Sequence, residues 1–382
     1  AMIIWDKIRQ RKWFLRHLKQ RWGTIPDREY TQEELESISH YARRHEGEPF
    51  MIDDITWNDL QMDEIFIRMN NTLSSCGEDV LYQMLRQPQM HREVLEERER
   101  LIAYFQTHEE ERIQVLTRVK EVKKIWKMSI ADYIDALKDV DRTGRAKYPM
   151  LAGLSVAAII ATLINPIPCM FLLHLMLCVS AVVHTRDSKK IEPYLNCFVC
   201  ILRLLRAADQ FEKLDNPVIQ TYLDRIREGR KKMKSFRRGA FLVASTNSVQ
   251  DGLEAIVVSY LRIIFQVDFI KFYSMLKHVE GNEAIIEEMY QAIGELDALI
   301  AVASSRESLP YYSLPEFTET DNAEGASLEV EELYHPLIAD PVVNGIRMQR
   351  GVLITGSNAS GKSTFLKTIA INTILAQTVH TC

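Results

Sequence analysis

The chain of 382 residues is long enough for two or three domains at about 150 residues each, which excludes a small disulfide-stapled fold. With 15 Gly, 12 Pro, 47% hydrophobic and 26% charged residues, its composition is typical of a well-packed, mostly helical protein. The net charge of −5 excludes a chain that is basic throughout, so a polyanion could bind only at a local cationic patch.

The first predicted element is a basic helix over residues 2–22, in which Lys and Arg alternate with Trp, Phe, Ile and Leu. Two interpretations stay open: the helix lies on an anionic membrane surface, or it docks its aromatic side onto the next domain. Helical periodicity continues over 32–127, with predicted interruptions at 47–49, Gly77 and Pro88.

A stretch without any Asp, Glu, Lys or Arg lies between Lys147 and Arg186. It divides at Asn165-Pro166-Ile167-Pro168 into two apolar arms of about 15 residues, each shorter than the roughly 20 residues of a full membrane span. Basic residues flank both ends, which places both on the cytoplasmic side. We therefore predict a helical hairpin that dips into or crosses the membrane, and the alternative is an apolar hairpin in a soluble core.

Long helical patterns return over 190–305. Gly229 and Gly239 are predicted breaks near a cationic run that could meet DNA phosphates or anionic lipid, or could form a solvated helix face. The run consists of Arg225, Arg227, Arg230, Lys231, Lys232, Lys234, Arg237 and Arg238. The six cysteines show no disulfide spacing, which favours a reducing cytoplasm. We expect Cys197 and Cys200 to be two thiols packed on a helix.

The segment 356–364, Gly-Ser-Asn-Ala-Ser-Gly-Lys-Ser-Thr, matches the phosphate-binding pattern Gly-x-x-x-x-Gly-Lys-Ser/Thr. It follows the apolar run 351–355, a predicted strand, and precedes a predicted helix. Its glycines let backbone amides converge on a phosphate. Lys362 should reach the β- and γ-phosphates of ATP, and Ser363 should place its hydroxyl on Mg²⁺. The predicted ATP-binding residues are Gly356, Ser357, Asn358, Ala359, Ser360, Gly361, Lys362, Ser363 and Thr364.

Together with Leu353-Ile354-Thr355, this loop resembles the ATPase-domain loop of the MutS family of DNA mismatch repair proteins. Tyr334-His335-Pro336-Leu337 resembles the strand that opens that domain. Residues 62–88 resemble the start of the family's helical core, and 296–317 resemble its end. The resemblance covers most of residues 56–382, and the uncharged hairpin makes the chain similar to membrane-associated MutS-related proteins.

The resemblance implies ATP and Mg²⁺ as cofactors, a homodimer with composite sites, and double-stranded DNA as a partner. The sequence departs from the family pattern at the loop residues Ser357, Ala359 and Ser360, and at Val342 or Val343, where relatives place a Phe that stacks on adenine. No segment resembles the mismatch-reading domain, so we expect no mismatch recognition. The chain ends at Cys382 before a Walker B Asp-Glu pair, so we expect it to be inactive in ATP hydrolysis on its own.

The sequence thus predicts a mainly α protein with a helical MutS-type core, an apolar hairpin insertion and the start of an α/β ATPase domain. The predicted segments are a basic aromatic helix over 1–30, core over 31–148, hairpin over 149–185, core and lever over 186–317, a linker over 318–330 and the ATPase part over 331–382. Alternatives are a membrane-tethered mechanical ATPase acting on protein or lipid, and an ABC-type or chromosome-structural ATPase. The predicted location is the cytoplasm, with anchoring to the inner face of the cell membrane if the hairpin inserts.

Overall fold

The computed structural model of the protein describes residues 2–44, 50–124, 130–236, 253–318, 327–349, 351–357 and 360–382. Fifteen α-helices and two strands lie in the described part of the chain, which confirms the mainly α fold class. The chain divides into two compact units: the first comprises Ala1–Lys127, Pro217–Ile219 and Ile293–Cys382, and the second Met128–Asn216 and Gln220–Ala292. The boundaries of the six predicted segments stay a prediction.

The first unit begins with seven helices and ends with a long helix, two strands and the helix after the phosphate loop. The helices are α1 Met2–Arg21, α2 Gln32–Arg43, α3 Asp54–Asp59, α4 Met62–Met69, α5 Ser75–Arg86, α6 Arg92–Thr107, α7 Glu109–Val119, the second part of α14 Glu283–Ser308, and α15 Lys362–Val379. Large apolar side chains fill its core, among them Trp57, Phe66, Leu81 and Phe105. Short polar side chains begin three of the helices, where they accept otherwise unpaired backbone N–H groups: Thr31, Asp53 and Ser74.

The two strands, β1 Leu328–Leu333 and β2 Asn344–Met348, form an antiparallel pair in which Leu328 lies opposite Met348. The register shifts between Val330 and Leu333, and Glu332 there adopts a positive φ of 50°. β1 begins inside the segment predicted as a linker, most of which lies outside the described residues.

Two glycines allow α5 and α14 to cross at close range. A Cβ added to Gly77 would lie 2.2 Å from the Asp297 carboxylate, and one added to Gly294 would lie 2.5 Å from the carbonyl oxygen of Cys76. The predicted interruption at Gly77 is therefore wrong, because α5 continues through it. The residue is a glycine because Asp297 occupies the space that a side chain would need. Pro88, by contrast, follows the end of α5 at Arg86, as predicted.

The second unit consists of helices around an aromatic core that includes Phe198, Phe236, Phe269 and Phe272. Its helices are α8 Ile130–Lys138, α9 Lys147–Ile164, α10 Pro166–Phe211, α11 Gln220–Lys232, α12 Leu253–Ile264, α13 Val267–Val279 and the first part of α14. The predicted break at Gly229 is wrong, because α11 passes through it and Met289 packs 3.1 Å from where its Cβ would be. Gly239 lies outside the described residues.

Cys197 and Cys200 are both buried on α10 and are not disulfide-bonded. They pack in the helix as two thiols, which confirms the prediction for this pair.

The apolar stretch forms the hairpin of α9 and α10, joined at Asn165. Pairs along its length run antiparallel: Tyr148 donates to Asp187, Ser155 contacts Ser180, and Thr162 donates to the Cys169 carbonyl. The second arm does not stop after 15 residues, because α10 continues as one helix of 46 residues into the core of the second unit. Both helices are long and apolar enough to cross a membrane by length and composition, and only 17% and 6% of their most apolar windows is buried.

Helix α1 docks onto the first unit over part of its length, and its contact with a membrane surface stays a prediction. Toward its end, Leu18 is buried and Lys19 pairs with Glu109, while the following Trp22 receives the Arg112 guanidinium 3.4 Å from its ring centre. Earlier in the helix, Trp5 and Trp13 are 65% and 64% exposed. The aromatic side of the helix thus docks only in its second half.

We predict that Gly77→Ala lowers the free energy of unfolding by about 1–3 kcal/mol, because the added methyl group has to displace the buried Asp297 carboxylate. Gly153→Ala in α9 is the matched control: nothing lies within 4 Å of its Cβ, and Ala in a helix stabilises by about 0.5–1 kcal/mol relative to Gly. Urea unfolding followed by circular dichroism measures both. An unchanged midpoint for Gly77→Ala would contradict the close approach of these helices.

Candidate functional site

The phosphate-loop segment lies at the beginning of α15. Gly361 directly precedes the helix with φ +84°, a left-handed conformation that suits glycine. At the other end of the loop, a Cβ on Gly356 would lie 2.7 Å from Ser360 Oγ. The backbone conformation therefore favours glycine at position 361, whereas at position 356 a side chain would have to share space with the Ser360 hydroxyl.

Lys362 turns its side chain back into the loop. Its Nζ donates hydrogen bonds to the carbonyl oxygens of Gly356 and Ser357, the latter at 2.7 Å. A lysine ammonium group has three donors and carries its charge on a flexible stem, so phosphate oxygens entering the loop can replace these carbonyl oxygens as acceptors. The geometry thus brings the predicted cation and the predicted glycines together.

The first turn of α15 has the electrostatics of an anion site. It contains no acidic residue, and no side chain of its N-cap residue accepts its first N–H groups. Such amides, with the helix dipole behind them, favour a phosphate group. Ser363 and Thr364 are exposed on this turn, so their hydroxyls are accessible to a ligand or metal. Asn358 and Ala359 lie outside the described residues.

The rest of α15 is packed into the first unit. Ile371 and Val379 are fully buried, and the helix lies against α5 and α6. The Asn372 side chain donates to the carbonyl oxygen of Tyr334 at 3.2 Å, which ties the segment 334–337 to this helix. Helix α15 is therefore packed into the core of the first unit.

One sequence prediction for this region is wrong. The apolar run 351–355 was expected to form a strand, but it has no regular secondary structure. A strand needs a hydrogen-bonded neighbour, none of the described residues pairs with this run, and Leu353 is 87% exposed. Val342 and Val343 are 82% and 49% exposed, so their side chains are accessible but unpacked.

The described residues could supply only part of the ligand set of a magnesium ion. Within the described ranges, no three His, Cys, Asp or Glu side chains cluster as metal ligands. Mg²⁺ accepts one or two protein ligands when phosphate oxygens and waters complete its shell. Ser363 is the residue that would supply the hydroxyl ligand.

Ion pairs neutralise much of the predicted cationic run. Arg230 pairs with Asp209 and Glu212, and Lys232 pairs with Glu228, each at 2.7 Å. Arg225 and Arg227 also have acidic partners, whereas Arg237 and Arg238 lie outside the described residues. Lys231 and Lys234 are exposed without an ion pair in the part described here, and with Arg230 they line a cavity of about 140 Å³. The cationic surface is thus smaller than the sequence suggested.

Sequence reasoning missed the polar contacts at the far end of α15, where Arg306 and Glu99 meet. Their partners lie more than 70 residues apart along the chain, so no local pattern identifies them. The available signal was a single arginine after the run Ala301-Val302-Ala303-Ser304-Ser305. A charge that follows an otherwise small and apolar helix face is expected to have a buried partner.

Comparison with known proteins identifies relatives for about a third of the chain. The "DNA mismatch repair protein MutS" of Haloquadratum walsbyi is 34% identical over 118 residues, which are 29% of this chain and 12% of that protein. This chain is similar to MutS proteins. The MutS of Bacillus subtilis is 29% identical over 133 residues (32% of this chain, 15% of that protein), and mouse "MutS protein homolog 4" is 30% identical over 125 residues (31% and 12%).

These similarities support MutS family membership, as the motifs predicted. No protein-family model matches the chain. The matches span only 12–15% of the length of these three MutS relatives. What the whole relatives do is therefore carried over to this chain only as a proposal.

Proposed function

We propose that this protein is a MutS-related protein that binds Mg-ATP through the loop 356–364. The observation that carries the proposal is the Lys362 side chain, which is folded back onto the loop carbonyl groups at the start of α15, where Gly361 has a left-handed backbone and no side chain caps the first N–H groups. The loop amides and the Lys362 ammonium bind and orient the phosphates, and Ser363 supplies a hydroxyl to Mg²⁺. The bound metal neutralises charge on the phosphate oxygens.

The relatives named as DNA mismatch repair proteins support a wider proposal. In it, the protein is a DNA-binding ATPase that acts as a homodimer and does not recognise mismatches. Duplex DNA contacts Lys231, near the end of α11, and Lys234, just beyond it, and ATP occupies the loop.

A second candidate function is a membrane-tethered ATPase, and the hairpin of α9 and α10 favours it. Its apolar side chains are most exposed near the turn, where Leu163, Ile167 and Phe171 are 81%, 87% and 77% exposed. At the other end, Lys147 pairs with Asp187, and Lys190 approaches the same carboxylate. From this charged end, arms of 17 to 20 residues extend about 26–30 Å at 1.5 Å per residue, the thickness of a bilayer's hydrocarbon core. On this proposal the protein is held at the cytoplasmic face of the cell membrane.

Lys362→Ala is expected to weaken binding of Mg-ATP at least tenfold, because a charge-assisted hydrogen bond contributes about 1.5–3 kcal/mol. Lys367→Ala, which removes the same charge from the next part of α15, should leave affinity within about twofold. Isothermal titration calorimetry with Mg-ATP measures both variants. Equal affinity of the wild-type protein and Lys362→Ala would contradict the assignment of the loop.

Binding to duplex DNA is expected to be insensitive to mismatches and strongly dependent on salt, because the cations in and just after α11 contact phosphates and not base edges. Changing both Lys231 and Lys234 to Ala should reduce the slope of log affinity against log salt by about 1.8. Lys232→Ala is the control, since Glu228 already neutralises that lysine. Fluorescence anisotropy over a salt series measures the affinity of each variant for matched and mismatched duplexes. A preference for the mismatched duplex above about tenfold would refute the prediction.

Membrane association is expected to depend on the exposed end of the hairpin. A variant with Leu163, Ile167 and Phe171 all changed to Lys should lose flotation with liposomes of mixed neutral and anionic lipid, because a charge deep in the bilayer costs about 2.5–3.5 kcal/mol. Ile55→Lys, at a site 78% exposed in the first unit, is the control and should float as the wild type does. If the wild-type protein stays unbound and monodisperse without detergent, the soluble alternative holds.

A further inference from the structure

The last turn of α15 accepts hydrogen bonds from donors elsewhere in the first unit: Gln89, in the connection between α5 and α6, Arg98 on α6 and Arg306 on α14. The backbone N–H of Gln89 donates to the carbonyl oxygen of Gln377 at 2.7 Å, and the Arg98 guanidinium donates to that of Thr378. Beyond the helix end, Arg306 Nη2 donates to the carbonyl oxygen of His380 at 2.9 Å. A helix end leaves four carbonyl groups without partners inside the helix, so these contacts are directional and specific to this end.

Arg306 is the centre of this arrangement. It lies near the end of α14 and is 2% exposed. Its Nη1 and Nη2 donate to the two carboxylate oxygens of Glu99 on α6, at 3.1 and 2.6 Å, and its Nε donates to Thr381 Oγ1 at 2.9 Å. One guanidinium fork therefore joins α14, α6 and the end of α15, and a fork of this kind fixes geometry as well as supplying charge.

Packing beside Arg306 is incomplete. A cavity of about 40 Å³ is lined by Arg306, Asn372, Leu375 and Thr381, among others. Leu375 and Val379 are buried at this end of α15, and the contacts of Arg306 add a directional polar link from the helix end to α6 and α14. The cavity also gives the helix room for a small displacement.

We propose that Arg306 is a positioning residue that couples phosphate binding at the beginning of α15 to α6 and α14. The inference rests on the proposed function of the loop 356–364. The helix of 18 residues is about 27 Å long at 1.5 Å per residue and moves as a rigid body, so a shift at its first turn reaches its last carbonyl groups. A displacement of the last carbonyl groups shifts the guanidinium of Arg306, which is hydrogen-bonded to Glu99. By linkage, the position of α6 and α14 biases nucleotide affinity in return.

Hydrogen exchange with mass spectrometry tests the coupling. In the wild-type protein, a saturating non-hydrolysed Mg-ATP analogue should slow exchange at least about fivefold in peptides covering 92–107 and 299–308. Arg306→Lys keeps the charge but loses the fork, so it should bind the analogue without this response. Glu99→Gln, at a partly accessible site, should lose the response in the same way. Arg92→Lys alters an exposed pair on the same helix and should respond as the wild type does.

Calorimetry on the same samples separates the two proposals. If the wild-type protein binds the analogue and the two peptides do not respond, the coupling is wrong and the loop assignment stands. A full response in both Arg306→Lys and Glu99→Gln would also overturn the coupling. If the wild-type protein binds no analogue, the proposed function fails and the coupling fails with it.

Discussion

The carboxylate of Asp297 is the constraint on which the first unit depends. It is fully buried, and it accepts the backbone N–H groups of Leu73 and Ser74 and the Ser74 hydroxyl at distances of 2.5–3.2 Å. Burial raises the pKa of Asp297 to about 6, while these hydrogen bonds act in the opposite direction by favouring the charged form. The carboxylate thereby holds Leu73 and Ser74, the N-cap residue of α5, against α14 at the crossing of the two helices.

The positions of both ends of α15 depend on that crossing. α15 packs against α5, so the position of α15 depends on the position of α5. α14 continues from Asp297 to Arg306, which holds the other end of α15. A single buried carboxylate therefore orients the helix that carries the predicted nucleotide site and the residue that contacts its far end. In the second unit, by contrast, the hairpin leaves a long apolar surface uncovered in the described part of the protein.

The sequence predicted features whose cause is local. The hairpin turn was predicted because Asn165 and Pro166 interrupt an uncharged run, and the two helices do meet there. The phosphate loop rests on glycines, a lysine and a hydroxyl at fixed spacing, and nucleotide binding at this loop stays a prediction. Predictions failed where distant residues decide. Glycine at 77 and 229 predicted helix breaks, but both positions lie inside helices, where Asp297 and Met289 pack against them and leave no space for a side chain. The strand expected over 351–355 requires a neighbouring strand, and the charge of the α11 run is reduced by Asp209 and Glu212 on another segment.

The central claim is that ATP phosphates bind at the start of α15, and a crystal structure of the protein with a non-hydrolysed Mg-ATP analogue tests it most directly. The account predicts that Lys362 Nζ leaves the carbonyl oxygens of Gly356 and Ser357 and donates to phosphate oxygens, with Ser363 Oγ on the metal. Phosphates bound elsewhere on the chain, or an analogue in the loop with Lys362 still on those carbonyl oxygens, would contradict it.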